Sequence, residues 1–455
     1  MNEVFQKKSA KNSFKLPNSL YKSSQNFITA AISKSKVDKL YKYDWLLVFL
    51  VFLIVISGLA FLSSALSAGG LLSYQSDFGK QFVFALFIGG GFSFFFARFD
   101  YHKWFNYTKY IYLGTLIPVL FLVAVIIANK LTGIPFASIS KILGPIPFKP
   151  YESNGALRWI SLGFTNFQPA EIAKLSLLVY LCAWIEKKWQ FHKENKLSGE
   201  IKKTIPKKIE LTIKDLARPF ILISLVLGGI LIQPDLGSIV ISGIILIFAL
   251  WTARVNPKIL ITSLVCGVII FILSILSLSY RSNRVGTFLD FYTDPATACD
   301  GNKATKNNFQ VCQIRNAISQ GGLAGKGFGE SDAKAENSIP EITTDAILAV
   351  IGEEVGYIGT LMFLSLYLLL FLRGMQVAWR APDVGGRALG AGISIWILVQ
   401  AIVNVAGVTG LLPLKGTPLP FVSEGGSAIV LNLMAMGILI NISSQRISKQ
   451  DALRF

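Results

Sequence analysis

Apolar residues along this chain gather in about ten long blocks, at roughly 45–66, 79–97, 107–128, 169–186, 219–233, 237–253, 257–280, 345–372, 387–411 and 426–444. At 1.5 Å of helical rise per residue, about 20 apolar residues cross the hydrocarbon of a bilayer, so each block predicts a membrane-spanning helix. The expected fold class is an all-α polytopic membrane protein with about ten transmembrane helices. Two blocks, on either side of Gln233-Pro234-Asp235-Leu236, are short and joined by a tight turn. Three polar stretches are long: 129–168, 187–218 and 281–344, the last lying between the seventh and eighth blocks.

The block at 345–372 differs from the others because acids enter it. Ser338 to Gly356 reads SIPEITTDAILAVIGEEVG. Asp345 stands at the mouth of the predicted helix, and Glu353 and Glu354 follow about 12 Å further along. A carboxylate at that depth costs on the order of 3 kcal/mol or more unless protein or water receives it, which makes these acids functional or packing candidates.

Composition sharpens this picture. Charged residues make up 15% of the chain and hydrophobic ones 52%, against about 25% charged in soluble domains, so a soluble globule is excluded. The net charge of +18 would suggest nucleic acid on a soluble protein. Here the lysines lie between apolar blocks, as the positive-inside rule and anionic lipid favour, and no nucleic-acid-reading motif occurs. The stretches 1–43 and 187–218 are rich in lysine, and ten crossings place both, with 446–455, on the cytoplasmic side. The expected organisation is a disordered basic cytoplasmic tail at 1–43, a ten-helix membrane domain at 44–445 and a cytoplasmic tail at 446–455. Within the domain, 187–218 is a basic cytoplasmic loop and 281–344 an extracytoplasmic one. About forty polar residues precede the first apolar block, so that block reads as a retained anchor, not a cleaved signal.

Cys182 and Cys266 lie inside apolar blocks and read as packing residues. Cys299 and Cys312 share the outward loop, where oxidation is permitted, and a disulfide between them is favoured over two free thiols. His102 and His192 are the only histidines, and both fall on the cytoplasmic side. Outward acid–base chemistry must therefore use carboxylates. No zinc-spaced Cys/His cluster, Walker sequence or GxSxG elbow appears in a suitable context, which disfavours a metallohydrolase, an ATP-driven pump and a serine hydrolase.

Four polar constellations remain on the outer side. The first runs from NGALRWISLG (154–163) into FQPAEIAK (167–174), where Pro169 can open a helix and Glu171 and Lys174 can pair three residues apart. Spacing alone favours a structural ion pair. The second is the turn QPDLGS (233–238), where Asp235 reads first as a helix cap. The third is GGLAGKGFG (321–329), whose glycines could bring backbone N–H groups to an anion beside Lys326, or could simply make a flexible loop. The fourth is LPLKGTPLPFVSEGGS (412–427), rigid and irregular, carrying Lys415, Ser423 and Glu424. Asp345 itself reads, by position alone, as an acid favoured by a helix N-terminus.

These segments, in this order, resemble the SEDS family of bacterial membrane proteins, which includes FtsW and RodA. The resemblance rests on NGALRWISLG with FQPAEIAK, QPDLGS, RVGTFLDFYTDP, GGLAGKGFG, PE-x-x-TD with AVIGEEVGYIG, and GLLPLKGTPLPFVSEGGS, and it spans about 44–445. It implies a ten-helix fold and a peptidoglycan glycosyltransferase that polymerises lipid II, the undecaprenyl-pyrophosphate-linked disaccharide peptide, at the outer face of the membrane. It also places the family's essential catalytic aspartate on Asp345, which displaces the capping reading. A carboxylate in hydrogen-bond reach can take the proton of the acceptor hydroxyl, and cations can offset charge on the pyrophosphate leaving group. Arg158, Lys174, Lys326 and Lys415 are the candidate cations, and Glu171 and Ser423 complete the expected substrate-binding set. A divalent cation (Mg or Mn) could share that task, although no residue set reads as a cage for it.

The chain departs from the family pattern at two positions. Thr343 stands where the family has His, two residues before the aspartate, and Glu424 stands where it has Tyr in the S-x-GG turn. Within the family, GTPLPFVS follows the RodA wording. LLPLKG, the ending NLMAMGILINISSQ and the basic tail favour the FtsW branch, hence cell division over elongation. A lipid II flippase is the rival from another class, since intramembrane acids and lysines also suit a headgroup path. It would carry inverted repeats, and none is visible. A scaffold that only recruits a synthase would leave Asp345 without a task.

The resemblance further implies a membrane-anchored transpeptidase partner of the class B penicillin-binding type, and other division proteins. Trp396 and Leu433 read as a lipid-facing surface for such a partner. Gly390, Gly392, Ala401, Ala435 and Gly437 would permit close approach, by the partner or by the bundle itself. The expected location is the bacterial inner membrane, multi-pass, with both termini cytoplasmic.

Overall fold

A chain in lipid has no water to satisfy its peptide groups, so apolar stretches must close their hydrogen bonds internally. The computed structural model describes residues 43–67, 71–135, 148–153, 156–163, 165–197, 213–276, 286, 288–289, 292–293, 299, 306–334, 339, 341–412 and 417–445. Each of the ten apolar blocks lies on a helix. They are Trp45–Leu66, Leu71–Phe82 running through the π-helical Val83–Gly89 into Gly90–Arg98, Thr108–Thr132, Pro169–Leu197, Ile213–Ile232, Leu236–Thr252, Pro257–Leu276, Ile347–Trp379, Val384–Val408 and Gly426–Ser444. Seven of these are long and apolar enough to cross a membrane, and Ala217–Ile232 and Leu236–Thr252 are shorter apolar helices. Pro169–Leu197 is apolar in its first half but carries Glu171, Lys174, Glu186, Lys187 and Lys188. The expectations for Lys415, for 1–42 and for 446–455 fall outside the described residues.

Val384–Val408 is the helix about which the others pack, touching Ile347–Trp379, Leu236–Thr252, Pro169–Leu197 and Gly426–Ser444. Its small residues let them approach. A Cβ on Gly390 would meet Ala378 and Leu439 at 3.1–3.3 Å, and one on Gly392 would lie 2.4 Å from Leu178. These glycines therefore serve the bundle itself. The expected lipid-facing role of Trp396 and Leu433 is corrected on the same ground. Trp396 is fully buried, because its indole N–H needs a partner and finds Gln400 Oε1 at 2.8 Å. Leu433 is buried against Gly89. Cys182 is buried as expected, but Cys266 is exposed on its helix, which corrects its reading as a packing residue.

The three long polar stretches hold more structure than expected. In 129–168, strands Lys149–Ser153, Ala156–Ser161 and Asn166–Phe167 form an antiparallel sheet in chain order. Leu157 and Ile160 seat it on Leu122, Val125 and Ile126 at the end of Thr108–Thr132. Within 187–218, helix continues to Leu197 and resumes at Ile213. Glu, Lys and Gln are good helix formers, Gln190 bonds Glu186 one turn away at 2.9 Å, and Lys188 joins the next helix through Asp215 at 2.5 Å. In 281–344, the helix Lys306–Gln320 carries Cys312, whose sulfur lies 2.01 Å from that of Cys299.

Candidate functional site

The acid-bearing block is where the fold departs most from a plain spanning helix. Ile347–Trp379 is broken at Gly356, which takes φ 68° and ψ −173°. The peptide groups freed by the break are met by the glycine-rich stretch. Lys326 N–H donates to Glu353 O at 2.9 Å and Gly327 N–H to Glu354 O at 3.1 Å. In return Tyr357 N–H reaches Gly322 O at 2.9 Å and Ile358 N–H reaches Leu323 O at 3.2 Å. A Cβ on Gly325 would stand 2.2 Å from Glu354 O, so backbone lies on backbone. Gly321 and Gly325 are the glycines of GGLAGKGFG that this approach requires, since a Cβ on Gly321 would stand 2.1 Å from Gly352 O.

The paired glutamates hold the same clasp. Glu353 accepts from Lys326 Nζ at 2.5 Å, Ser331 Oγ at 2.6 Å and the N–H groups of Asp332 and Ala333 at 3.1 and 3.0 Å. Glu354 accepts from Ser64 Oγ, with Lys334 Nζ at 3.7 Å. Lys326 also bonds Asp332 and Gln320, each at 2.7 Å, and its hydrogen bonds to Asp332 and then Glu353 push its pKa up. Its ammonium is directed at protein carboxylates about two helical turns from Asp345.

Asp345 ends a non-helical loop, 341–345, just ahead of that helix. Glu341 adopts the left-handed φ of 57°, and its carbonyl accepts from the N–H groups of Thr344, Asp345 and Ala346 at 3.1–3.3 Å. The helix N-cap falls on Ala346, where no side chain caps it. Asp345 is half-buried, and its carbonyl accepts from Asn404 Nδ2 at 2.9 Å. The same Asn404 amide donates to Thr417 O at 2.8 Å. One buried side chain thus ties the Asp345 loop to the fourth constellation.

That constellation is itself braced on several sides. Phe421, buried, takes φ 68°, and the carbonyl of Pro420 accepts from Tyr367 OH at 2.7 Å. Ser423 Oγ accepts from Leu419 N–H at 2.8 Å and is buried, so it closes the turn. Gln81 reads the turn twice, donating to Ser423 O and accepting from Gly425 N–H, both at 3.2 Å. Glu424 N–H donates to Thr343 O at 2.8 Å, and Thr343 Oγ1 donates to Glu424 Oε2 at 2.7 Å. The two positions at which this chain leaves the SEDS pattern are therefore bonded to each other.

Below this junction lies a buried ion pair. Lys174 Nζ bonds Glu171 Oε1 and Gln400 Oε1, each at 2.8 Å, and stands 5.2 Å from the Trp396 ring centroid. Gln400 Nε2 donates in turn to Pro418 O at 3.0 Å. Glu171 and Lys174 are 3% and 2% exposed, which makes them the floor of the site. Arg158 Nη2 donates to Pro234 O at 2.8 Å, joining the sheet to the QPDLGS turn. Asp235 caps the helix it precedes through Ser238 N–H at 3.1 Å, and it accepts from Gln168 at 2.8 Å. Asn404, Gln400 and Gln81 were not singled out from the sequence. The signal for the first two was present, as two amides one turn apart inside an apolar block. Among the described residues, no group of three or more His, Cys, Asp or Glu could hold a metal ion.

A family model described as "Cell cycle protein", covering FtsW, RodA and SpoVE, matches residues 44–448. The chain belongs to this family. It is 33% identical over 412 residues to a Geobacter sulfurreducens protein named "Probable peptidoglycan glycosyltransferase FtsW", covering 90% of this chain and 97% of that one. A Haemophilus influenzae protein of the same name is 36% identical over 304 residues, covering 66% of this chain and 70% of that one. Among solved structures, a chain from work on the structural coordination of polymerization and crosslinking by a peptidoglycan synthase complex superposes with TM-score 0.63 at 25% identity, over 90% of this chain and all of that one. Thermus thermophilus RodA shares the fold, with TM-score 0.58 at 24% identity over 90% of this chain and 99% of that one. Like other members of the FtsW/RodA/SpoVE family, the chain is a multi-pass membrane protein of SEDS type.

Proposed function

We propose that this chain is a peptidoglycan glycosyltransferase of the FtsW type, in which Asp345 is the general base that polymerises lipid II. The observation that carries the reading is the loop 341–345, matched to the family and held by Asn404 and by the 417–425 turn. In the reaction, the acceptor sugar hydroxyl gives its proton to the Asp345 carboxylate as its oxygen attacks the donor's anomeric carbon. A new glycosidic bond forms, the bond to the lipid pyrophosphate breaks, and the pyrophosphate leaves with the electron pair. Cations must meet that charge, and Lys415 and Arg158 are assigned to it, Arg158 through guanidinium N–H groups other than those of the Nη2 that holds Pro234 O. Glu171, Lys174 and Ser423 are assigned to holding the floor and the turn, and Lys326 to the clasp, because their polar atoms are directed at protein partners. A divalent cation could assist by drawing on substrate oxygens together with one or two carboxylates, and no group of three or more His, Cys, Asp or Glu stands ready for it among the described residues.

The FtsW-named relatives support the FtsW branch, hence division over elongation, and the lysine-rich stretches between apolar blocks support cytoplasmic termini in the bacterial inner membrane, with the chemistry at its outer face. The likeness to a chain of a peptidoglycan synthase complex supports a class B penicillin-binding transpeptidase as partner. The flippase reading loses its footing, because the intramembrane pair Glu171–Lys174 is sealed inside the bundle. The test is polymerisation of purified lipid II by the isolated protein, with and without the cognate transpeptidase. Wild type should form glycan and Asp345→Asn, inserted and folded, should not. Near-wild-type polymer from the Asn variant would end the proposal.

A further inference from the structure

We infer that Glu424 is a positioning residue for Asp345, acting through Thr343; this rests on the reading of Asp345 as the base. Two bonds join the pair in a closed ring. Glu424 N–H donates to Thr343 O at 2.8 Å and Thr343 Oγ1 donates to Glu424 Oε2 at 2.7 Å. A single bond fixes a separation, whereas two bonds between the same residues also fix their relative rotation. Thr343 lies two residues before Asp345, in a loop with no regular ladder of its own.

The loop has reason to need such a hold. Glu341, its first residue, is left-handed at φ 57° without being glycine, a conformation that persists only where surrounding contacts enforce it. The far end is tied by Asn404, which donates to the Asp345 carbonyl. A second tie limits rotation of the loop about that contact and so steadies the carboxylate. The second tie must come from something stationary. The 417–425 turn is stationary, because Tyr367 OH holds Pro420 O, Gln81 holds Ser423 and Gly425, and Asn404 holds Thr417 O. Glu424 is the side chain of this braced turn that reaches across to the loop. An ionised carboxylate accepts a hydroxyl proton in a shorter and stronger bond than a neutral group, which suits an acid to this position.

A purely structural bond would alter stability and leave the chemical step alone, so the test separates the two. Thr343→Val removes the hydroxyl donor at nearly constant shape, and Thr343→Ser restores it. Glu424→Leu removes the acceptor, and Glu424→Gln keeps an amide oxygen in its place. In purified full-length protein, Thr343→Val and Glu424→Leu should each lower kcat for lipid II polymerisation by about ten- to a hundredfold, with KM within about twofold of wild type. Thr343→Ser and Glu424→Gln should recover most of the rate. The double variant Thr343→Val/Glu424→Leu should be no slower than the slower single one, because both remove the same bond. Native-state hydrogen exchange at the amides of 343–345 should quicken in the Val and Leu variants and not in the Ser and Gln variants. Wild-type kcat in Thr343→Val, a loss confined to KM, additive losses in the double variant, or unchanged exchange would each overturn the inference. Wild type that forms no glycan, or an active Asp345→Asn, would instead sink the polymerase reading, and the exchange data would still decide whether Glu424 holds the loop.

Discussion

Asp345 and Asp383 each stand at the start of a long helix, and the fold secures the two helix starts differently. Asp383 is gripped by its carboxylate. It caps Val384–Val408 through Gly386 N–H at 2.7 Å, accepts from Tyr101 OH and has His102 Nε2 at 3.3 Å. Asp100 steadies the same histidine through Nδ1 at 2.8 Å and accepts from Gln445 at 3.1 Å. Burial alone would raise the Asp383 carboxyl, but the hydrogen bonds from His102, Tyr101 and Gly386 outweigh it and hold the group below the usual carboxylate range. At Asp345 the peptide groups are held through Glu341 O and Asn404, and the helix after it begins at Ala346 without a side-chain cap. Position in the sequence is nearly the same for the two acids. The Asp383 carboxylate closes a junction of the scaffold, while the backbone at Asp345 ties its loop to the neighbouring helix.

The sharpest way to break this contrast is to neutralise both acids. Asp345→Asn should leave thermal stability near wild type and lower the polymerisation rate by about 10²–10⁴-fold. Asp383→Ala should do the reverse. It removes a helix cap and strands His102 and Tyr101, for a stability cost of about 3 kcal/mol, while the folded fraction keeps its rate. Unfolding midpoints and single-turnover rates on both variants check this, and a matching pattern in the two would erase the distinction.

Next in size is the floor of the site. Lys174→Ala leaves Glu171 buried and uncompensated, at a cost of about 3–5 kcal/mol, whereas Lys187→Ala on an exposed surface should stay within about 0.5 kcal/mol. Equal, mild effects would show that the pair bears no weight. Asn404→Leu should follow, stranding the carbonyls of Asp345 and Thr417 for about 1–3 kcal/mol and lowering kcat by about tenfold through the displaced loop. A variant that loses stability but keeps full kcat would show that Asn404 holds the bundle and not the base.

The helices were legible because a spanning helix is a one-dimensional signal of length and hydropathy: each of the ten blocks falls on a helix, and seven of these helices are long and apolar enough to span. The partnership of Glu171 with Lys174 was legible for the same local reason, being one helical turn apart. What escaped depends on pairs distant in the chain. The break at Gly356 cannot be read from AVIGEEVGYIG, because it is stable only when Gly322, Leu323, Lys326 and Gly327 arrive to take its peptide groups. The roles of Gln81 and Asn404 are likewise fixed by a turn that is hundreds of residues away or folded back from the next segment. Trp396 looked lipid-facing because a one-dimensional pattern shows that a residue is apolar and not which neighbour covers it. Arg158 lies on a strand that was missed, since Ala156, Leu157, Arg158 and Trp159 do not alternate cleanly between buried and exposed.

The smallest expected effect concerns pH, and it belongs to the Asp383 end alone. The hydrogen bond to Asp383 raises the pKa of His102 from the ordinary 6.5 to about 9, against the opposing pull of burial and with help from Asp100. A histidine whose folded value is raised stabilises the fold while it is protonated. That contribution is fully present below about pH 6.5 and is lost as the pH climbs through 9. Asp383 and Asp100 are shifted the other way, so their contribution holds above the ordinary carboxylate value of 3.8 and fades as the pH falls below it. The unfolding midpoint of the purified protein should therefore decline gently between pH 6.5 and 9, and His102→Gln should flatten that decline. Because His102 is partly exposed, solvent screens the pair and the slope should be shallow. Asp345→Asn should leave the same slope intact, since His102 pairs with Asp100 and Asp383. A slope abolished by Asp345→Asn and kept by His102→Gln would place the titrating group at the other aspartate and reverse the comparison.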